Sequence, residues 1–299
     1  MTKNSYSPTI NKAPTLLGWI SLIFLSVIWG SSYILIKKGL TAFSPIQVAC
    51  LRLAITALIF TPFLFTRRVY KHLDKWKILF LVAFIGNLLP FFLFPAAQTR
   101  ISSGAAGILS SLTPLLTFLV GIVAFHQKAT KAKVAGVILG LAGAVYLMNQ
   151  ENHVGWEGFQ FGFLIVIACL GYAVSTNLIK KELSSTPSLA ISAISFALVG
   201  WIAIVFLFTF TDFTSVLRNE ENAYSALGYI ATLAFSSTAL ASIVYFKLIK
   251  ETSALFAASV SYLTPVVAVG WGLLDGELMS VFHIAGLALI LAGIYLSKD

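Results

Sequence analysis

Ten apolar stretches, each roughly 17 to 25 residues long, constrain this chain more than any motif, because that length of helix crosses about 30 Å of hydrocarbon. They run Leu16 to Ile36, Pro45 to Phe65, Ile78 to Ala97, Ile101 to Phe125, Val134 to Met148, Phe161 to Ile179, Ser188 to Phe210, Tyr224 to Leu248, Ser253 to Leu274 and Val281 to Ser297. Inside hydrocarbon each backbone N–H and C=O needs a partner within the protein, so the stretches are expected to be helices. With 58% hydrophobic and 10% charged residues, against about a quarter charged in soluble domains, the chain is an all-α, multi-pass membrane protein. The first stretch is too long for a signal-peptide core and leads into Lys37-Lys38 with no small-residue cleavage site, so it is expected to be retained. Residues 1–15 read as a disordered tail. Cys50 and Cys169 sit inside apolar runs, which leaves no disulfide framework, metal cluster or cofactor motif.

Lysine and arginine positions set the expected orientation. Counted on alternating connections, 15 lie on the side holding the N-terminus, four (Lys37, Lys38, Arg100, Arg218) lie on the other, and Arg52 falls within a stretch. Both termini are therefore expected to be cytoplasmic, in a bacterial inner membrane. The net charge of +9 is topological on this reading, and no nucleic-acid partner is expected.

The chain also repeats itself. Ser102 to Leu116 (SSGAAGILSSLTPLL) returns as Ser253 to Val267 (SALFAASVSYLTPVV), 151 positions on. Ile34 to Leu40 matches Asn177 to Leu183 at an offset of 143, and Ala135-Gly136 and Ala142-Gly143 match Ala285-Gly286 and Ala292-Gly293 at 150. The units are residues 16–149 and 160–297, five helices each. Because five is odd, the second unit enters the membrane from the opposite face. Inverted repeats of this kind mark secondary transporters, with the substrate near the midplane between the halves.

Trp29-Gly30-Ser31-Ser32, Arg52, the Ser- and Ala-rich run ending in Leu112-Thr113-Pro114, its second copy, and Gly276-Glu277 together resemble the EamA family of the drug/metabolite transporter superfamily. The resemblance spans nearly the whole chain. It implies helices 1 to 4 and 6 to 9 around a central cavity, helices 5 and 10 behind, and export or exchange of small metabolites, amino acids foremost. Where the family has Gly-Glu after helix 4, this chain has Phe125-His126-Gln127.

A cavity on the symmetry axis is lined by both halves, so candidate substrate contacts are polar or aromatic residues at matched positions. Trp29 and Ser32 share a helical face, and Tyr172 and Ser175 lie 143 positions on. Asn87 matches Thr238, and Ser110-Ser111 matches Ser261-Tyr262. Together they offer hydroxyl, amide and aromatic surface to a small polar solute. Arg52 has no basic counterpart; it is a carboxylate-binding candidate by its cost in a membrane, or a structural residue whose side chain reaches helix-end carbonyls or the interface. Pro114 and Pro265 are expected to bend helices 4 and 9 midway, and Gly104 and Gly107 to let helix 4 slide. Gly136, Gly140 and Gly143 are expected to face Gly286 and Gly293, either within one chain or between monomers of a dimer. All eleven acids lie in loops or at helix ends, which favours exchange or facilitated diffusion over coupling through a buried acid. A flippase for a lipid-linked substrate is the alternative; a membrane sensor and an intramembrane enzyme are weaker ones, since no phosphate loop, zinc-protease or nucleophile-elbow motif occurs.

Overall fold

The computed structural model describes residues 15–125, 130–150 and 156–297. The expected tail, apart from Thr15, lies outside the described residues, as do His126 and Gln127. Thr15 caps the first helix, its Oγ1 accepting the Gly18 N–H at 3.2 Å. Among the described residues there is no strand, and the helices are α1 (Leu16–Gly39), α2 (Pro45–Leu64), α3 (Leu73–Gln98), α4 (Ser103–Phe125), α5 (Lys131–Gln150), α6 (Trp156–Glu182), α7 (Ser188–Phe210), α8 (Ala223–Glu251), α9 (Ala254–Leu274) and α10 (Val281–Leu296). Among the described residues nine are long and apolar enough to cross a membrane, and α10, with 16 residues, rises about 24 Å at 1.5 Å per residue. Two short helices, Arg67–Tyr70 and Phe213–Asn219, occupy connections that the hydropathy pattern leaves as loops.

Four of the helices are interrupted. In α3 a wide π turn covers Phe84–Leu88, just ahead of Pro90, whose ring would collide with the Gly86 carbonyl in a regular helix. In α8 a π segment covers Leu233–Leu240, where Ser236 Oγ donates to the Thr232 carbonyl and Thr238 Oγ1 to that of Leu233; such back-bonding competes with the helical ladder. α4 breaks at Ser111-Leu112 between Ser103–Ser110 and Thr113–Phe125. α9 passes through a 3-10 stretch, Ser259–Tyr262, before Thr264–Leu274.

These breaks correct the expected role of the prolines. Pro114 and Pro265 do not bend a continuous helix. Each is the second residue of a new helical segment, where its missing N–H has no intrahelical partner to lose.

The packing is matched between the two halves. α2 lies along α7, α5 along α10, and the first segment of α4 along the last segment of α9; α1 meets α8 and α9 as α6 meets α3 and α4. At the back, α5 and α10 approach backbone to backbone. A Cβ on Gly136 would strike the Gly293 carbonyl, one on Gly293 would strike the Gly136 carbonyl, and one on Gly143 would sit 2.8 Å from the Leu289 Cβ. Gly140 faces Leu115 of α4, and Gly286 faces Leu147. The glycine strips thus meet inside one chain, so they are not surface left free for a second copy. The outward faces carry exposed Trp19, Ile23, Val27, Trp201, Ile202, Val205 and Phe208, apolar surface that suits lipid and not water.

Gly107 is also not a slack position. A Cβ there would run into the Ala268 Cβ of α9 and lie 3.5 Å from the Tyr33 ring, whereas one on Gly104 meets the flexible end of Met279 at 3.1 Å and Glu277 Oε2 at an ordinary contact distance of 3.5 Å. Gly107→Leu is therefore expected to lower stability by about 1–3 kcal/mol or more through overpacking, and Gly104→Ala to leave it nearly unchanged. Thermal unfolding of the two purified variants in detergent checks the contrast.

Candidate functional site: a cavity at the helix interruptions

Irregular backbone at membrane depth is tolerated only where it is buried in protein or lines a cavity, and here the four interruptions surround one cavity. Its lining includes Gly86 and Asn87 from the α3 π turn, Ser237 and Thr238 from that of α8, Ser110 and Thr113 beside the α4 break, and Ser261 and Thr264 beside the α9 break. The groups released by the breaks are largely taken up by neighbours. The Trp29 Nε1 donates to the Ser237 carbonyl at 2.9 Å, Ser26 Oγ to that of Val260 at 2.8 Å, Ser111 Oγ to that of Ser261 at 3.0 Å, and Thr113 Oγ1 to that of Ser110 at 2.7 Å.

Trp29, Ser32, Arg52, Asn87, Ser110, Tyr172, Ser175, Thr238 and Ser261 all border this cavity. Ser111 and Tyr262 do not. Ser111 is fully buried and ties the α4 break to the α9 break, while Tyr262 packs into the apolar cluster of α4, α5 and α6. The two stand one position beyond Ser110 and Ser261, and a one-residue step turns a helical side chain about 100° away.

The cavity is also lined by residues beyond those candidates. Tyr33 and Thr176, Phe91 and Ser242, Phe94 and Tyr245, and Thr113 and Thr264 are pairs at the same two offsets, 143 and 151, and all eight line it. Each lies three, four or seven positions from a residue already singled out, so carrying helical spacing one or two turns further would have found them. Phe196 enters from α7 with no such signal. The rings form an apolar box: Trp29 meets Tyr245 edge-on at 4.8 Å, and Tyr172 stacks on Phe94 at 6.1 Å. Tyr245 shares a 3.0 Å hydrogen bond with Thr176.

Arg52 reaches neither the interface nor helix-end carbonyls. It is 5% exposed, its Nε donates to Thr238 Oγ1 at 2.8 Å, and its guanidinium lies 3.7 Å above the Phe91 ring. It is the one charged residue in the lining, which has no Asp, Glu or His. The space open to water is about 90 Å³. In this conformation the cavity is narrow, and a larger solute requires its walls to part.

The α1 C-terminal end of the bundle is closed by an ionic latch. Gly276, with φ of 80°, takes the left-handed turn that glycine adopts without a Cβ penalty, and it delivers Glu277 to the start of α4. The Glu277 Oε1 accepts from Lys37 Nζ at 2.8 Å, Ser103 N at 3.0 Å and Ser103 Oγ at 2.8 Å; Oε2 accepts from Gly104 N at 3.0 Å. Asp275 takes Lys37 at 2.7 Å and also pairs with Lys38. A carboxylate on exposed helix-start N–H groups is a favourable use of the helix dipole. Hydrogen bonds from Lys37 and Lys38 hold the Asp275 carboxyl below its ordinary range. Burial opposes charge on Glu277, but Lys37 and the Gly104 and Ser103 donors outweigh it and hold its carboxyl below the ordinary range as well. At the opposite end the chemistry differs. Lys180 donates to the carbonyls of Lys250 and Thr252, and Lys250 to that of Thr186, so cations there rest on chain-end carbonyls.

The model of the EamA-like transporter family matches this chain twice, over residues 16–149 and 161–298. Among similar proteins, a probable amino-acid metabolite efflux pump of Salmonella typhimurium is 25% identical over 292 residues, covering 94% of each chain. The inner membrane transporter YedA of Escherichia coli is 26% identical over 290 residues, covering 92% of this chain and 89% of its own. A crystal structure with 18% sequence identity superposes with a TM-score of 0.62 over 95% of this chain and 96% of its own, and so shares the fold.

Because the ionised form of Glu277 is favoured in the folded protein, its contribution is present above the ordinary glutamate pKa of about 4.3. It fades as pH falls through the lower folded-state value. Glu277→Gln is expected to lower the Tm by several degrees at pH 7, and the gap to the unmodified protein to close below about pH 4. Thermal unfolding of both proteins across that pH range measures it.

Proposed function

The chain belongs to the EamA-like transporter family, and from that premise we propose that it is a secondary transporter which exports or exchanges small metabolites, amino acids or close relatives of them, across a bacterial inner membrane. The observation that carries this reading is the polar- and aromatic-lined cavity around which the interruptions of α3, α4, α8 and α9 gather. The efflux activity given for the Salmonella relative and the inner-membrane location given for YedA support it. Residues 16–149 and 160–297 act as two inverted five-helix units, both termini lie in the cytoplasm, and α10 spans with the rest.

Transport proceeds by alternating access. α4 and α9 are the moving walls, their broken segments meeting at the Ser111 to Ser261 bond, and the Glu277 latch parts when the cavity opens on that side. The α5 and α10 pair, locked glycine to glycine, is the rigid back. One chain suffices as the transporting unit. The lining has no carboxylate or histidine to carry a proton, which supports exchange or facilitated diffusion over coupling through a buried acid. Nothing in the cavity pairs a nucleophile with a general base, so the reading is transport and not catalysis.

One observation favours the flippase alternative. A crevice of about 470 Å³ opens on the outer surface of α1, α8 and α9, bordered by Val27, Leu35, Trp271 and Leu274. Between it and the central cavity, however, Ser237 is bonded on both sides to α1, accepting from Trp29 Nε1 at 2.9 Å and donating through Oγ to the Ile28 carbonyl at 3.1 Å. That zipper favours a solute that enters from the ends of the bundle.

In liposomes loaded with labelled amino acids, efflux is expected to persist when an ionophore collapses the pH gradient, and to fall about tenfold or more in Tyr172→Ala, which removes one wall of the aromatic box. Flux that stops with the gradient would overturn the uncoupled mechanism, and movement of lipid headgroups instead of solute would favour the flippase.

A further inference from the structure

Two nitrogen-bearing side chains in the central cavity, Arg52 and Asn87, have donors without a partner among the described residues. Of the five N–H groups on the Arg52 guanidinium, Nε alone has a protein acceptor among the described residues, the Thr238 hydroxyl. With Nε engaged and one face covered by Phe91, the two terminal NH₂ groups remain as a free fork. Asn87, 7% exposed, has a side-chain Nδ2 with no hydrogen-bond partner. It sits one helical turn before Phe91, the ring that Arg52 covers, so both donors belong to the same corner of the cavity. No carboxylate lines that space.

A buried cation without a counter-ion, and a buried amide without a partner, are each costly. Both costs are recovered together when a ligand brings a compact anion with two acceptor oxygens. From this juxtaposition we infer that Arg52 and Asn87 are the anion-recognition end of the cavity, and that the protein takes solutes bearing a carboxylate and excludes their decarboxylated amines. The guanidinium fork matches a carboxylate in paired hydrogen bonds, the Asn87 amide adds a third donor, and Thr238 and Phe91 hold the fork in place. The rings of Trp29, Tyr172 and Tyr245, in the same lining, suit an apolar or aromatic body. A solute ammonium has no acid to pair with there; in a zwitterion it rests against ring faces, and in a simple amine it meets Arg52 with nothing to offset the repulsion.

The inference rests on the reading of this cavity as the transport site. Three matched probes separate the two claims: phenylalanine, 3-phenylpropionate, which keeps the carboxylate and lacks the amine, and phenethylamine, which keeps the amine and lacks the carboxylate. Binding is read by thermal shift of the full-length protein in detergent, and flux by uptake into proteoliposomes. The two carboxylates are expected to bind and move about tenfold or more better than the amine, the margin set by charge-assisted hydrogen bonds. Phenethylamine handled as well as the carboxylates would overturn the inference while leaving the transport reading intact. Carboxylate-selective binding without flux of any solute would do the reverse, and neither binding nor flux of either carboxylate would overturn both. Since Arg52→Ala risks misfolding, the decisive variant is Asn87→Asp. It places an acid beside the fork, so carboxylate binding is expected to fall about tenfold or more while the Tm is kept. Unchanged carboxylate binding by Asn87→Asp would overturn the assignment, as would undiminished binding by Arg52→Lys, which keeps the charge and loses the fork.

Discussion

The need to satisfy each backbone polar group away from water governs this molecule more than any single contact. In hydrocarbon an unpaired carbonyl is costly, so a helix can be interrupted only where something else supplies the missing partner. Here α3, α4, α8 and α9 are interrupted within one region, and the loose ends are closed by side chains of other helices: Trp29 on the Ser237 carbonyl, Ser26 on that of Val260 and Ser111 on that of Ser261. The interruptions and the cavity are therefore one feature. The polar surface that a solute would meet is made of the same residues that allow the helices to break.

The rest of the bundle sets what can move around that region. At the back, α5 and α10 touch glycine to carbonyl at Gly136 and Gly293, with Leu289 against Gly143 and Leu147 against Gly286, a contact that leaves no slack. At the α1 C-terminal end, one carboxylate joins Lys37 of α1 to the first N–H groups of α4. At the other end lysines rest on carbonyls. The two closures differ in kind, one an ion pair with a helix start and the other cation to carbonyl, although the helices around them pair in matched fashion. A doubled architecture can thus retain two unlike ends: the matched lysines Lys37 and Lys180 meet a carboxylate at one end and carbonyls at the other.

Much of the cavity was legible through spacing alone. Trp29 with Tyr172, Ser32 with Ser175 and Asn87 with Thr238 follow from the repeat offsets, and Tyr33, Phe94 and Tyr245 needed only helical periodicity in addition. What spacing could not convey is direction. Ser111 and Tyr262 sit one residue from lining positions yet point elsewhere, and the order of residues leaves Arg52 open between a carboxylate-binding place and an outward reach, whereas its side chain runs inward to Thr238 and Phe91. A proline inside an apolar run cannot be told by its sequence from one that starts a new segment, so Pro114 and Pro265 suggest bends where the structure starts new helical segments. The difference lies in the preceding residues, where hydroxyl groups and a neighbouring helix make the break affordable.

Taken by itself, the chain's order of residues determined the membrane class, the helices and their approximate limits, and the doubled pattern, since hydropathy, segment length and repeat offset are properties of residues near one another or of simple periodicity. Only the tertiary structure decided which faces of those helices meet, where four of them break, that Glu277 reaches across to the start of α4, and that Arg52 and Asn87 share one corner without a counter-charge. Each of those depends on groups far apart in the chain being brought within a few ångströms. Hydrogen bonds and ion pairs act only at that range, which no local pattern encodes.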